Sequence, residues 1–302
     1  MKKLFFFFSI LSFLNFVSLG QQSSKNDLTV DELKGKVKTL KEYVYEAIKE
    51  NDVEKKSKLE KSNIISYNVN GFYTEYSSYD SNSKLINKRV YFYDNQNNLV
   101  EKKTFIKDEK LYEKSVYSYD DKKKLIEEKI YNSEGKLDRT IKYDYNNKGL
   151  LVAQSVYNYG YSAEESITKS EFEYDSNGNL IVDKYYYKGE LDNKVVYKYN
   201  NKNLCLKVIT YDADNEIISE IKNSYDNKSR LNKIVKYGRN NILLDEETRK
   251  YDNYNNIIEA KNNYEHLNMK YEYDKKGNWI KQIFYENNAP RQIIEREIEY
   301  YD

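Results

Sequence analysis

Pairs of tyrosine followed by aspartate or asparagine recur along the chain at a nearly constant spacing. The tyrosines of these pairs are Tyr93, Tyr119, Tyr145, Tyr174, Tyr199, Tyr225, Tyr251 and Tyr273. Successive intervals are 26, 26, 29, 25, 26, 26 and 22 residues. Self-similarity at a fixed period is the signature of repeat proteins, in which each unit packs on its neighbours. The spacing therefore predicts an array of short structural units.

Each unit divides again into two halves of about thirteen residues. Six positions after each paired tyrosine stands an apolar residue: Leu99, Leu125, Leu151, Leu180, Cys205, Leu231, Ile257 and Trp279. Twelve or thirteen positions after it stands another aromatic residue: Phe105, Tyr131, Tyr157, Tyr186, Tyr211, Tyr237, Tyr264 and Tyr285. We expect the aromatic and apolar positions to form one buried face, with the intervening Lys and Glu on the other.

The period within each half is that of a β-strand. Aromatic residues often stand two positions before the paired tyrosine, as at Tyr143 and Tyr197, which places both rings on one side of a strand. Turn-forming residues follow, as in Asp-Ser-Asn-Gly-Asn at 175–179. The pattern predicts an all-β fold: a long antiparallel meander of β-hairpin repeats, forming a curled sheet or a β-solenoid.

Two segments resemble the YD repeats of Rhs-type proteins: Phe-Glu-Tyr-Asp-Ser-Asn-Gly-Asn-Leu-Ile at 172–181 and Tyr-Glu-Tyr-Asp-Lys-Lys-Gly-Asn-Trp-Ile at 271–280. With Leu-Lys-Gly-Lys-Val-Lys at 33–38, they also resemble many exported bacterial proteins of unknown function. The resemblance covers residues 67–302. It implies a β-rich shell around a toxin or a surface stalk with carbohydrate binding, and this chain is far shorter than the large Rhs proteins.

The N-terminus has the layout of a secretory signal peptide. Lys2 and Lys3 precede an apolar stretch, and Ser18 and Gly20 provide small residues for cleavage before Gln21. We therefore predict a signal peptide at 1–20, a disordered leader at 21–34, an opening segment at 35–66 and the repeat array at 67–302. Residues 37–50 favour a strand, with a helix as the alternative. The location is periplasmic or extracellular, with no membrane span after cleavage.

Composition argues against several functions. Loss of Lys2 and Lys3 leaves 48 basic against 49 acidic residues, so the mature chain lacks the basic excess of a nucleic-acid binder. The one histidine, His266, has no spaced catalytic partners and is expected on a surface loop. The one cysteine, Cys205, occupies an apolar repeat position and is expected to be buried. We predict no enzyme activity, no catalytic residue, no metal and no cofactor, with a small hydrolase as the least favoured reading.

Tyrosines outside the repeat phase are the candidates for binding, since a tyrosine ring can stack on a sugar or a protein. They are Tyr76, Tyr112, Tyr159, Tyr161, Tyr185 and Tyr187. The sequence thus predicts a non-enzymatic scaffold that binds a cell-envelope carbohydrate or protein. The alternative is an accessory or immunity-like partner of a toxin system.

Overall fold

The computed structural model describes residues 26–159 and 166–302, which are almost entirely β-strand. The one α-helix of this part, α1, is Asp27–Val30, and a 3-10 turn spans Arg239–Asn241. The strands of this part are β1 (Val37–Glu50), β2 (Val53–Tyr67), β3 (Tyr73–Asp80), β4 (Leu85–Tyr93), β5 (Leu99–Ile106), β6 (Lys110–Tyr119), β7 (Leu125–Asn132), β8 (Leu137–Tyr145), β9 (Leu151–Asn158), β10 (Ser166–Tyr174), β11 (Leu180–Tyr187), β12 (Glu190–Tyr199), β13 (Cys205–Asp212), β14 (Ile217–Tyr225), β15 (Leu231–Gly238), β16 (Leu243–Tyr251), β17 (Ile257–Lys261), β18 (His266–Tyr273), β19 (Trp279–Glu286) and β20 (Ala289–Tyr300).

The described chain forms two compact units. Unit 1 comprises Tyr117–Ile130 and Leu137–Ile218, and its strands β8 to β13 pair in chain order. Unit 2 comprises Asn26–Val116, Tyr131–Lys136 and Ser219–Asp302. Its strands β1 to β6 and β14 to β20 also pair with their neighbours in sequence. Every pairing is antiparallel, so the predicted all-β meander is confirmed.

The residue after each paired tyrosine builds the turn. At Asp175, one carboxylate oxygen accepts hydrogen bonds from the backbone N–H of Asn177 (2.9 Å) and Asn179 (2.8 Å). Gly178 has φ +83°, the left-handed conformation that this turn requires. The same two hydrogen bonds recur at the other paired positions: Asp94, Asp120, Asn146, Asn200, Asp226, Asp252 and Asp274. Aspartate or asparagine is therefore needed because its short side chain organises the hairpin.

The hydroxyl of the paired tyrosine explains why that position is not phenylalanine. In four of the eight paired tyrosines it donates to the backbone carbonyl of an apolar residue on the preceding strand, whereas the Tyr273 hydroxyl donates to the Asp252 carboxylate. In unit 1 the pairs are Tyr145 to Leu125 (2.9 Å), Tyr174 to Leu151 (2.7 Å) and Tyr199 to Leu180 (2.8 Å). In unit 2, Tyr251 donates to Leu231 (2.6 Å). Each of these bonds links one repeat to the one before it.

We expect Tyr174→Phe to lower the free energy of unfolding by about 1 kcal/mol, because the Leu151 carbonyl loses its side-chain donor. Urea denaturation monitored by circular dichroism measures this change. Tyr187→Phe is the matched control, since the ring of Tyr187 is 49% exposed. Equal losses in the two variants would show that the hydrogen bond contributes nothing.

The aromatic residues do not share one face, which corrects the prediction from the sequence. In each unit we call face A the side of the sheet that bears the paired tyrosines, and face B the opposite side. Leu180 lies opposite Tyr174 on face A, but Glu173 lies opposite Val182, so Ile181 is an extra, bulged residue. The bulge reverses the alternation, and Tyr186 lies on face B, opposite Lys169.

Lysines cover the rings on face B. In unit 1 the ammonium group of Lys194 lies 4.6 Å from the ring centre of Tyr211. In unit 2 Lys222 lies 4.5 Å from the ring of Tyr237, and Lys270 lies 4.8 Å from that of Tyr285. A cation over the face of an aromatic ring is attracted to the π electrons. The predicted separation of lysine from aromatic residues is therefore wrong for the second half of each repeat.

The first and last strands pair with each other, so an open curled sheet and a solenoid are both wrong. β1 and β20 run antiparallel from Val37 opposite Tyr300 to Glu46 opposite Gln292. An open meander would leave these two strands as free edges, whereas a solenoid would stack strands of successive coils. The two edges match in chemistry: Leu40 lies opposite Ile298 on face A, and an ion pair joins Lys38 to Glu299 (2.7 Å).

The N-terminal segment differs from the predicted disordered leader at 21–34 over its described part. Leu28 of α1 is buried together with Val37, Leu40 and Tyr67. The Asp31 carboxylate accepts hydrogen bonds from the hydroxyls of Tyr67 (2.5 Å) and Tyr73 (2.7 Å). The strand predicted at 37–50 is confirmed as β1. The predicted signal peptide and residues 21–25 lie outside the described residues.

No helix in the described part of the chain is long and apolar enough to cross a membrane.

Candidate functional site

Five of the six tyrosines proposed as binding residues lie in the described part of the chain. Tyr185 and Tyr187 come together on β11 in unit 1. Tyr76 lies on β3 and Tyr112 on β6, both in unit 2. Tyr159 follows β9 and is 41% exposed. Tyr161 lies outside the described residues.

The stripe of Asp183, Tyr185 and Tyr187 is the first candidate site. These residues alternate along β11 and therefore lie on face A. Their neighbours on β10, directly opposite, are Phe172, Ser170 and Thr168. Tyr185 is half-buried and Tyr187 is 49% exposed, so the stripe changes from buried to accessible towards the end of the strand. We call Asp183, Tyr185 and Tyr187 the β11 stripe.

Asp183 is the polar group of the β11 stripe. Its Oδ1 atom is buried and has no hydrogen-bond partner in the described part of the chain. Burial raises the pKa of Asp183 to about 6, and its charge in turn raises the pKa values of Tyr174 and Tyr197, which burial has already raised. A buried polar atom without a partner is costly.

We expect Asp183→Asn to stabilise unit 1 at neutral pH. The pKa of Asp183 is higher in the folded state than its ordinary value of 3.8, so folding favours the protonated form. Its contribution to stability is therefore full below about pH 4 and is lost as the pH rises through about 6. Asparagine stays neutral and avoids that loss. We therefore expect the free energy of unfolding of the variant to be about 1–2 kcal/mol higher at pH 7.5 and almost unchanged at pH 3.5.

Urea denaturation at the two pH values measures this effect. The control is Asp192→Asn, because the side chain of Asp192 on β12 is exposed. The same gain at pH 3.5 and 7.5 would contradict the expectation, because it would not follow the charge of Asp183.

The second candidate site is a row of hydrogen-bonding side chains on face A of unit 2. The hydroxyl of Tyr76 donates to Asn63 (3.2 Å), and the amide of Asn63 donates to Glu42 (3.2 Å). Glu42 accepts from Arg296 at 3.0 Å. The guanidinium group of Arg296 lies 3.2 Å from the ring centre of Trp279. This row includes Tyr76, which the sequence singled out, and three polar residues that it did not.

The charge of Arg296 is compensated by its neighbours. Burial lowers the pKa of Arg296, and the Glu42 carboxylate acts in the opposite direction. The side chains of Arg296 and Glu42 are only 17% and 20% exposed, so the two charges are held together away from water. This pair is a structural element, since both partners are already occupied.

Cys205 and His266 take no part in either candidate site. Cys205 lies opposite Tyr199 and is half-buried, and burial raises the pKa of its thiol. His266 begins β18 and not a loop, which corrects its predicted position, and its Nε2 atom lies 3.6 Å from the Glu259 carboxylate. Among the described residues, no group of three or more His, Cys, Asp and Glu side chains could hold a metal ion.

Neither a family model nor a curated protein matches the chain. Solved structures match at low identity. A chain of the TcdB2-TccC3-Cdc42 crystal structure is 12% identical, with a TM-score of 0.33. The match covers 76% of this chain and 15% of that chain. A porin-like protein from Bacteroides uniformis is 12% identical, with coverage of 87% of this chain and 96% of that chain and a TM-score of 0.33. A porin-like protein from Bacteroides vulgatus is 11% identical, with coverage of 88% and 98% and a TM-score of 0.25. TM-scores this low establish no shared family or function.

Asp183 could have been found from its place in the repeat. It stands nine residues after the paired tyrosine, where other repeats have Lys102, Glu128, Gln154 and Val208. Only after the bulge is recognised does this position fall on face A beside the aromatic rings. The position of Asp183 in the repeat is visible in the sequence. The extra bulge residue conceals which face of the sheet Asp183 lies on.

Proposed function

We propose that this protein is an exported, non-catalytic scaffold that binds cell-envelope carbohydrate through the β11 stripe. The predicted signal peptide at 1–20 supports export, and the even balance of charge supports a partner other than nucleic acid. One observation carries the proposal: two tyrosine rings, one of them exposed, lie in line on face A of β11.

A sugar ring complements these groups. Its C–H face packs on an aromatic ring, and its hydroxyl groups make the hydrogen bonds that fix its orientation. On face A, Tyr187 offers an accessible ring. Ser170 and Thr168 on β10 add hydroxyl groups directly opposite the two tyrosines. The stripe therefore has the two features that carbohydrate recognition needs.

A polysaccharide pull-down followed by calorimetric titration tests the proposal. Tyr185→Ala combined with Tyr187→Ala is expected to weaken binding at least about tenfold, because stacking on one ring is worth about 1 kcal/mol or more. Tyr186→Ala is the matched control: it lies on the same strand but on face B, with its hydroxyl bonded to Glu171. Its affinity should remain that of the unmodified protein.

Two outcomes would overturn the proposal. One is the absence of binding to any cell-envelope glycan. The other is equal weakening by Tyr186→Ala and by the double variant, which would indicate a loss of folding and not of a binding surface. Capture of a toxin-system protein in place of a glycan would favour the accessory role that the sequence left as the alternative.

A further inference from the structure

A second surface on face A, in unit 2, has features that the β11 stripe lacks. It consists of Asn63 on β2, Tyr76 on β3, and Asn87 and Arg89 on β4, and we call it the Arg89 patch. Arg89 lies directly opposite Tyr76, and its guanidinium carbon is 5.6 Å from the ring centre of that tyrosine. Asn87 stands two residues before Arg89 and therefore on the same face.

Arg89 differs from four of the other arginines of unit 2 in its partners. Arg230, Arg249, Arg291 and Arg296 each form an ion pair with a carboxylate. Arg89 is exposed, and its contacts in the described part of the chain are with the tyrosines Tyr76 and Tyr91 and with no carboxylate. An exposed guanidinium group that contacts tyrosines and no carboxylate keeps planar N–H donors that can bind an anion.

Arg89 is the one charged residue of the patch. On the same face of the next two strands, Lys102 and Glu113 carry opposite charges. The Asp27 carboxylate acts on Tyr91, and burial raises the pKa of Asp27. The positive charge within the patch suits a ligand that carries one negative charge.

Asn87 supplies the neutral part of the patch. Its Oδ1 atom is buried and lacks a hydrogen-bond donor in the described part of the chain. Ser78, directly opposite on β3, is 7% exposed. The Asn87 oxygen has no accessible surface, so a ligand would not reach it. The patch therefore offers a guanidinium fork and a tyrosine ring on two neighbouring strands.

We propose that the Arg89 patch binds an acidic sugar, with the carboxylate of a uronic acid on Arg89 and the sugar ring against Tyr76. This inference rests on the proposed function in that both take carbohydrate, but it concerns a separate surface. A carboxylate is favoured over a phosphate because it is planar, carries one charge and matches the two parallel N–H donors of a guanidinium group.

Calorimetric titration with oligogalacturonate and with its neutral methyl ester tests the inference on the mature protein. Arg89→Gln is expected to lower affinity for the acidic oligosaccharide at least about tenfold, with little effect on the neutral ester. The affinity of Arg89→Lys for the acidic oligosaccharide should lie between those of the unmodified protein and Arg89→Gln, since lysine retains the charge but lacks the planar pair of donors. Arg291→Gln is the matched control, because that arginine is exposed and paired with Glu286.

The outcomes separate this inference from the proposed function. Unchanged affinity of Arg89→Gln for the acidic oligosaccharide would overturn the inference and leave the β11 stripe unaffected. Equal affinity of the unmodified protein for both oligosaccharides would also overturn it. Arg89→Gln could lose affinity for the acidic oligosaccharide while the Tyr185→Ala, Tyr187→Ala double variant keeps full affinity for the cell-envelope glycan. That result would support the Arg89 patch and contradict the β11 stripe.

Discussion

Replacing Arg296 with alanine is expected to lower the free energy of unfolding of unit 2 by about 3–5 kcal/mol. The substitution leaves the Glu42 carboxylate, which is 20% exposed, without its cation. Removal of one partner of a buried ion pair costs more than the pair contributes, because the remaining charge stays out of water. It also removes the guanidinium group packed 3.2 Å from the ring centre of Trp279. Urea denaturation of the mature protein measures the loss.

A double variant separates charge from packing. Glu42→Leu together with Arg296→Met removes both charges and keeps apolar volume against Trp279, so its stability should lie within about 1 kcal/mol of the unmodified protein. Glu42 and Arg296 lie directly opposite each other in the pairing of β1 with β20. The two apolar side chains of the double variant therefore face each other, and the pairing of the strands is kept. If the double variant lost as much stability as Arg296→Ala, the unpaired charge would not be the cause.

The turns of this fold follow directly from the sequence. An aspartate or asparagine after the tyrosine, followed by a residue able to take positive φ, predicted each hairpin that forms at a paired position. These interactions join residues at most four apart, so local chemistry is enough to specify them. The meander follows as well, because short turns bring consecutive strands together.

Two features could not be predicted from local sequence: the face on which each side chain lies, and the pairing of the first strand with the last. Each bulge adds a residue that no local pattern marks, as at Ile181, and one extra residue moves every following side chain to the other face. The pairing of β1 with β20 joins segments about 250 residues apart in the chain, and such contacts leave no local periodicity. The lysines that cover face-B rings were assigned to solvent for the same reason.

The β11 stripe and the Arg89 patch show the same division. Tyr76, Tyr185 and Tyr187 were proposed from the sequence because they depart from the repeat phase. Asp183 was missed because the bulge conceals the face on which it lies, and Arg89 was missed because nothing in its spacing shows that it lacks a carboxylate partner. Lysines and glutamates are abundant in this chain, and only the pairing of strands decides which of them meet. The neighbours of Arg89 are a tyrosine on β3 and a threonine on β5, so no carboxylate faces it across either pairing.

Gly71→Ala is expected to detach the N-terminal segment and lower the stability of unit 2 by about 3–5 kcal/mol. Gly71 has φ +82°, and a Cβ atom there would clash with the side-chain amide nitrogen of Asn26 and lie 2.9 Å from a methyl carbon of Leu28. The strained φ costs about 1 kcal/mol. Displacement of α1 adds the loss of the Asn26 cap and of Leu28 burial, each worth about 1–2 kcal/mol.

Gly135→Ala in the β7–β8 turn isolates the backbone contribution. Gly135 also has positive φ (+76°), but a Cβ atom there would meet nothing within 4 Å. We therefore expect it to cost only about 1 kcal/mol. Hydrogen exchange of the Leu28 amide, which donates to the Gly71 carbonyl at 3.1 Å, reports detachment directly. That amide should exchange freely in Gly71→Ala and remain protected in Gly135→Ala. If it stayed protected in both, α1 would be held by the Asp31 hydrogen bonds to Tyr67 and Tyr73 and not by its fit against Gly71.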